Sequence, residues 1–536
     1  MAHNKEYDYL IIGAGPAGLQ LGHDLQQAKR NYLILEAGES AGTFYDTFPR
    51  HDKLLSINKI YTGYTERETQ LRYDWNSLLC DDPTIAFKNF SKRYFPTAPE
   101  MKQYLVAFAN HFALNIQYRT RVCTISKDDV FTAVDQQGNT YICKRLIIAT
   151  GVGIKPYIPL IPGIELGEHY FDFPCNPEAY SDQRVLIIGK GNTAFETANS
   201  MVETARVIHL CSPSSVKLAW ESHFMGHLRA TNNDFLDTYH LKGQNSALDA
   251  IIEKLERRSE GIVAHVRFPN ARGQRMELAY DRVLICTGFT FDSSIFDQTC
   301  QPELTINGRF PAMTSEWEST NIKDLYFAGT LTQVRDFKKT MSNVIHGFRF
   351  NTRFLAHIFG WEYHQEPLPR HAFPTSPTAL VDCILKRVST TCALFLQPGF
   401  LCDALVIDEQ KGMSSYYKDI PVDYVHDGAI GCHHHYYLIT LEYGHIEGNP
   451  LSVKRDPDPQ MAHKDVYLHP VIRRFNASQL VCEHHIPENL ENNWQLQHRS
   501  QQVVFLSTHV PEQFSSQEML DYNQQLLEFF QAQLAV

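Results

Sequence analysis

Twelve cysteines are spread through 536 residues without a single C-x-x-C or C-x-x-x-x-C pair. That spacing excludes a zinc knuckle and an adjacent redox dithiol, and it fits reduced thiols in a cytosolic compartment. Basic residues are in deficit: 49 Lys and Arg face 60 Asp and Glu, a formal charge of −11. Such a field opposes nucleic-acid backbones and anionic lipid, so neither is an expected partner. No apolar run reaches a bilayer span, the most apolar stretch, Cys392 to Cys402, being broken by Gln397 and Pro398. The opening MAHNKEYDYLIIGAGPAG has no basic segment leading into an apolar core and a small-residue cleavage site. A mature N-terminus and a soluble, cytoplasmic protein are expected. Low-complexity tracts are missing too, and at about 150 residues per domain the length suggests about three domains.

What is present is a nucleotide loop. Tyr7 to Ile12 is apolar and β-prone, Gly13-Ala14-Gly15-Pro16-Ala17-Gly18 follows, and Leu19 to Gln27 is helical in pattern. In such a strand-turn-helix Gly13 permits the turn, Gly15 lets the backbone meet a pyrophosphate, and Gly18 lets helix and strand pack closely. A second strand, Tyr32 to Leu35, ends in Glu36, eighteen residues beyond Gly18, where an acid accepts from ribose hydroxyls and disfavours a 2′-phosphate. A purely structural β-turn-α unit is the alternative.

The unit recurs. Val185-Leu186-Ile187-Ile188 leads into Gly189-Lys190-Gly191-Asn192-Thr193-Ala194 and a helix through Glu196 and Ala198. The next strand, Arg206 to Leu210, runs into Cys211-Ser212-Pro213-Ser214-Ser215-Val216-Lys217 with no acid. Ser212 and Lys217 then stand ready for a 2′-phosphate, so NADPH is expected over NADH, with NADH possible. A degenerate nucleotide fold is the alternative here. Two further strands close on Thr-Gly turns, Leu146 to Gly151 through Thr150 and Val283 to Gly288, and Asp324 to Thr330 adds a third with Gly329-Thr330 at its end.

This order of elements resembles the two-dinucleotide-binding-domain flavoproteins, over about residues 5 to 358. The resemblance implies an α/β fold of two Rossmann-like domains, with the NAD(P)H domain inserted into the FAD domain, followed by a C-terminal α+β domain. The expected limits are 1–180 and 300–360 for FAD, 181–299 for NAD(P)H, 361–378 for a linker and 379–536 for the last domain. The stretches Pro49 to Gly63, Tyr73 to Leu79, Leu228 to Asn233, Ile345-His346-Gly347-Phe348-Arg349 and Leu468 to Ile472 resemble the FAD-dependent oxidoreductase domain-containing flavoproteins associated with endoplasmic-reticulum degradation and their bacterial relatives. That family's compartment does not carry over, because the chain shows neither a signal peptide nor a C-terminal retention tetrapeptide. The resemblance adds Val122, His346 and Gly347 to the FAD set.

More distantly the chain is similar to the flavin-containing and N-hydroxylating monooxygenases. Asn58-Lys59 matches an asparagine-lysine pair that in those enzymes touches the reactive edge of the flavin, and Asn76 and Arg229 complete the catalytic set the resemblance implies. Two features depart from the pattern. The F-x-G-x-x-x-H fingerprint is reduced to Gly167-Glu168-His169-Tyr170, and the late G-D box reads Gly329-Thr330, without the usual carboxylate on the ribityl chain. The chemistry expected is hydride transfer from NADPH to FAD, then reaction with oxygen through a flavin C4a-hydroperoxide that hydroxylates a small nucleophilic substrate, such as an amine. A neutral Asn58 amide would donate to the hydroperoxide, and Lys59 or Arg229 would attract an acidic substrate. The alternative for Asn58 is a turn cap. At the level of function the alternatives are a reductase feeding a partner or small acceptor, and a binding adaptor with structural FAD.

Histidine is plentiful, 25 in all, with Cys432-His433-His434-His435 and Cys482-Glu483-His484-His485 near the end. His433 and His435 would share one strand face, yet neither cluster has tetrahedral-site spacing, so no metal is expected. Pro367, Pro369, Pro374 and Pro377 read as an extended linker. Beyond them 379 to 396 and Ser516 to Leu534 are helical in pattern, Tyr436 to Tyr443 and Gln502 to Ser507 strand-like. This domain shows no catalytic constellation, and it is expected to cover the active site, dimerise or dock a protein partner.

Overall fold

The computed structural model describes residues 6–495 apart from 154, 240–243, 429, 432–434, 447, 449–451 and 453–457, together with 522–534. Cys432, His433, His434 and the Gln502 to Ser507 strand therefore lie outside the described residues. The chain forms two compact units, one of residues 1–59 and 76–349, the other of 60–75 and 350–536.

The first unit opens with β1 (Glu6–Ile12), α1 (Pro16–Gln27), β2 (Tyr32–Leu35), α2 (Ala98–His111), β3 (Ile116–Gln117), β4 (Val122–Lys127), β5 (Phe131–Asp135) and β6 (Thr140–Ile148). The sheet order is β3-β2-β1-β6-β5-β4, with Leu325–Phe327 returning beside β6. β1 is central and parallel to both neighbours, Leu10 standing between Leu33 and Leu146. A strand covered on both faces must be apolar throughout, which is why Tyr9 to Ile12 reads as a continuous apolar run and is buried.

The inserted part contributes β7 (Glu168–His169), β8 (Arg184–Ile188), α3 (Asn192–Ser200), β9 (Val207–Ser212) and β10 (Ser246–Asp249). An antiparallel ribbon follows, β11 (Ile251–Arg258), β12 (Gly261–Phe268) and β13 (Gln274–Tyr280), and then β14 (Arg282–Ile285). Strands order as β10-β9-β8-β14-β7, all parallel. Phe195, Ala198 and Phe235 pack on one face of this sheet, and the ribbon's Ile252, Val266 and Tyr280 on the other. The α/β fold is thus as expected: β3, β2, β1 and β6 run parallel with β5 and β4 added antiparallel, and the all-parallel second sheet is inserted between β6 and Leu325–Phe327. The first unit closes with β15 (Leu325–Phe327), and α4 (Ile345–His364) carries the chain into the second.

The second unit holds β16 (Arg370–Pro374), α5 (Pro377–Thr390), β17 (Leu401–Asp408), β18 (Met413–Pro421), β19 (His435–Glu442), β20 (His469–Asn476), β21 (Gln479–His485) and α6 (Tyr522–Leu534). The sheet is antiparallel, ordered β16-β18-β17-β19-β20-β21, and α5 and α6 pack together. The expected linker is shortened to 365–369, with Pro367 and Pro369, and 375–376. α4 continues to His364, β16 pairs with β18, Pro374 ends that edge strand, and Pro377 takes the first turn of α5 behind the N-cap of Ser376. Edge strands and first helical turns are the places where a missing N–H costs nothing, so prolines there punctuate rather than unfold.

Segment 60–75 belongs to this unit through charge and carbonyl contacts that local sequence does not announce. Arg387, on α5, donates to Asp403 (2.7 Å), to Asp419 and to Glu68. Arg72 donates to the Thr391 carbonyl (2.8 Å) and the Val388 carbonyl (2.9 Å), closing the end of α5. Among the described residues no helix is long and apolar enough to cross a membrane, and no group of three His, Cys, Asp or Glu gathers as a metal site.

Candidate functional site

The site starts from the turn after β1. Gly13 has φ +108°, and a methyl group there would lie 2.8 Å from the Ala149 carbonyl oxygen. One on Gly18 would lie 1.9 Å from the oxygen of Gly13, so neither position admits a side chain. Gly15 differs: nothing lies within 4 Å of where its Cβ would be. Gly15 is also the N-cap of α1, Pro16 and Ala17 open the helix, and no acid sits in its first turn. Closed backbone around Gly13 and Gly18, open ground over Gly15 and free N–H groups beyond it form a cradle that a pyrophosphate fits.

Glu36 stands at the end of β2, buried, and binds the loop itself. Oε2 accepts from Ala14 N (2.7 Å), and Oε1 from Gly38 N and Thr43 Oγ1 (both 2.8 Å). Both lone pairs of Oε1 are thereby used, and Oε2 keeps one for a ribose hydroxyl. Val122 opens β4 two residues beyond Thr120, whose N–H donates to the Glu36 carbonyl (2.8 Å). Thr150 and Gly151 follow β6, Gly151 in the left-handed region at φ +68°. Gly329 begins a turn packed on α1, where a Cβ would come within 2.6 Å of Ala17 Cβ, and Thr330 directs its hydroxyl to the Asn343 carbonyl (3.4 Å). Gly347 packs against Met341 O, 2.0 Å from where a Cβ would be. His346 beside it is fully buried near Arg349 and Arg229, and burial holds its pKa well below the usual histidine value, so it is neutral.

The second loop repeats the design. A Cβ on Gly189, at φ +130°, would lie 2.3 Å from the Cys286 oxygen, whereas Gly191 faces open space. Asn192 and Thr193 open α3, Ala194 is buried beneath it, and Asn192 Oδ1 accepts from Arg229 N (2.9 Å). Gly288 closes the neighbouring turn, its carbonyl accepting from Tyr157 N (2.9 Å). Here one expectation is corrected. No carboxylate follows β9 in sequence, but β10 brings one beside it: Asp249 pairs in register with Ser212, accepts from Ser215 Oγ (2.6 Å) and is held by Lys190, the residue between the two glycines. Register, not sequence neighbourhood, delivers this acid. Lys217 is exposed.

The catalytic set is partly gathered. Asn58 and Asn76 are buried side by side, Asn76 Nδ2 donating to the Ile57 carbonyl (3.1 Å). The donor role expected of Asn58 is corrected, since its Nδ2 already serves the carbonyls of Ser91 (2.8 Å) and Arg93 (3.3 Å). What remains is Oδ1, a buried acceptor. The two carbonyl partners fix the amide orientation, because a flipped amide would set oxygen against oxygen. Lys59 is exposed, and Arg229 is half-buried within electrostatic range of Tyr94 and His346.

Besides Asp249, sequence reasoning missed two further acids, half-buried Glu196 and buried Asp336. Glu196 on α3 accepts from His51 N (3.1 Å), and burial pushes its pKa up to about 7. Asp336, in the turn after β15, accepts from Thr340 Oγ1 and Ser342 N, and burial raises it to about 6. Their signal was an acid inside an otherwise packed stretch, weak without the fold. None of the eleven described cysteines is in a disulfide.

Comparison with known proteins fits this geometry. Residues 10–329 match the family model described as pyridine nucleotide-disulphide oxidoreductase. The chain is similar to FAD-dependent oxidoreductase domain-containing protein 2 of Mus musculus, 33% identical over 542 residues, covering 91% of this chain and 81% of that protein. It is also similar to flavin-containing monooxygenase 1 of Homo sapiens, 30% identical over 133 residues, 22% of this chain and 25% of that one. Among solved structures, the flavin-containing monooxygenase from Stenotrophomonas maltophilia shares the fold at 19% identity and a TM-score of 0.51, over 67% of this chain and 99% of that chain. With two glycine cradles, each after a parallel strand, and a relative matched over 91% of this chain, the chain belongs to the pyridine nucleotide-disulphide oxidoreductase family and, within it, to the FAD-dependent oxidoreductases.

Proposed function

We propose that this flavin-dependent oxidoreductase takes hydride from NADPH and spends it on oxygen, as a monooxygenase hydroxylating a small nucleophilic metabolite such as an amine. The observation that carries the reading is the pairing of a second open cradle, over Gly191, with cysteines that form no disulfide among the described residues and are nowhere spaced as a C-x-x-C or C-x-x-x-x-C dithiol. A nicotinamide donor is provided for, and a disulfide relay is not.

Bound FAD would supply the exchange of two electrons between nicotinamide and acceptor. The chain's own residues do the holding. Gly13 to Gly18 and the start of α1 hold one pyrophosphate, Gly189 to Ala194 and the start of α3 the other. Neutral His346 adds no charge to the buried region, and Arg229 provides a cation for an acidic substrate. Asn58 and Asn76 keep the 57–58 backbone fixed and polar without carrying charge. NADPH remains the preferred donor in this reading because Lys190 neutralises Asp249, Ser215 donates to it beside Ser212, and Lys217 follows in the same loop.

The test is aerobic turnover of the purified yellow protein with NADPH over a panel of amines, counting NADPH, oxygen, hydrogen peroxide and hydroxylated product. One product per NADPH with little peroxide is expected for the right amine. Reduction by NADPH with no oxygen consumption, and electrons recovered in a quinone or partner protein, would sink the monooxygenase reading.

A further inference from the structure

The second unit holds a cavity of about 380 Å³ between α4 and the edge of its sheet, within the size range of small-molecule sites. Its apolar wall includes Phe350 and Phe354, one turn apart on α4, and Leu368. The lining also carries Arg353, on α4 beside Phe354, with Arg370 and Lys418 from the sheet. Arg353 is half-buried and makes no ion pair or hydrogen bond among the described residues, acting only at longer range on Asp419. Arg370 has the Tyr417 hydroxyl (3.3 Å) and no carboxylate, and Lys418 has no ion pair among the described residues. Asp419 is the acid of the lining and is held by Arg387.

The backbone places these charges deliberately. Cys402 pairs with Ile420 but Ala404 pairs with Tyr417, so Lys418 and Asp419 stand opposite Asp403 alone, a β-bulge with Asp419 at φ +58°. Bulges re-aim side chains, and this one delivers Lys418 and Asp419 to the cavity. Three permanent cations stand beside an aromatic wall, and the one acid of the lining, Asp419, is already paired with Arg387. Fields from such a set focus in a concave site and favour an anion.

We infer that this cavity binds a small organic anion, a carboxylate or phosphate head against Arg353, Arg370 and Lys418 with an apolar body on Phe350, Phe354 and Leu368. It is separate from the nucleotide cradles and rests on none of the flavin chemistry.

The test is calorimetric titration of phenyl phosphate, phenylacetate, inorganic phosphate and benzyl alcohol into the full-length FAD-loaded protein and its Arg353→Gln and Arg370→Gln variants. Saturable binding of phenyl phosphate or phenylacetate is expected, weakened at least tenfold by either variant and by high salt, with benzyl alcohol silent. The tighter of the two acids identifies the head. Arg370 is exposed, so its variant folds as the parent does and keeps the test sharp if Arg353→Gln loses stability. Absence of binding by both organic anions, binding unchanged in both variants, or inorganic phosphate binding as tightly as phenyl phosphate would overturn the assignment.

Discussion

A methyl group on Gly18 would lie 1.9 Å from the carbonyl oxygen of Gly13, while one on Gly15, between them, would meet nothing within 4 Å. Two glycines of one loop thus serve folding and the third serves the ligand. Gly18→Ala should lower the melting temperature of the protein even without flavin, by overpacking backbone against backbone. Gly15→Val should fold normally yet purify colourless. A yellow Gly15→Val variant would mean the pyrophosphate lies elsewhere.

Asn58→Ala leaves the buried carbonyl of Ser91 and the part-buried one of Arg93 without their shared donor. An unpaired buried acceptor costs about 1–3 kcal/mol, readable in urea unfolding. Looser packing of the 91–93 loop should also divert more of the consumed NADPH to hydrogen peroxide. Unchanged stability would show that the amide is dispensable to that turn.

Asp249 bears on the choice of nicotinamide. Asp249→Asn removes the carboxylate beside Ser212 and frees Lys190, so stopped-flow reduction by NADPH should gain over NADH by on the order of tenfold. A ratio that does not move would take Asp249 out of the nucleotide's reach.

Glu196 ties α3 to the 50–53 segment, and its folded pKa, about 7, lies above the ordinary carboxyl value of 4.5. A raised folded pKa means stability present below about pH 4.5 that is lost as pH climbs through about 7. Glu196→Gln should therefore flatten the pH dependence and exceed the parent by about 2 kcal/mol at pH 8, measured by calorimetric melting from pH 5 to 8. Parallel curves for the two proteins would count against a buried carboxyl there.

Arg387 gathers Glu68, Asp403 and Asp419 around one guanidinium. Arg387→Met should destabilise the second unit by about 3–5 kcal/mol, because it strands the fully buried Asp403 carboxylate. Limited proteolysis should then cut first within 60–75, the segment that Glu68 secures.

What the sequence determined by itself is whatever local chemistry demands: both glycine loops, the strands that enter them and Glu36 eighteen residues on. Turn geometry and burial on both faces dictate residue types over a few positions, so these elements are legible without the fold. Tertiary structure decided the rest. Asp249 reaches Ser212 only through strand register, 37 residues away in sequence, and Asn58 turns from donor to acceptor because two carbonyls from 91 and 93 claim its amide protons. Of the prolines read as a linker, Pro374 ends an edge strand and Pro377 starts a helix while Pro367 and Pro369 stay in the stretch between helix and strand, and 60–75 joins the second unit through Glu68 and Arg72. Pairings of that range depend on which strands lie side by side, and no local periodicity carries that information.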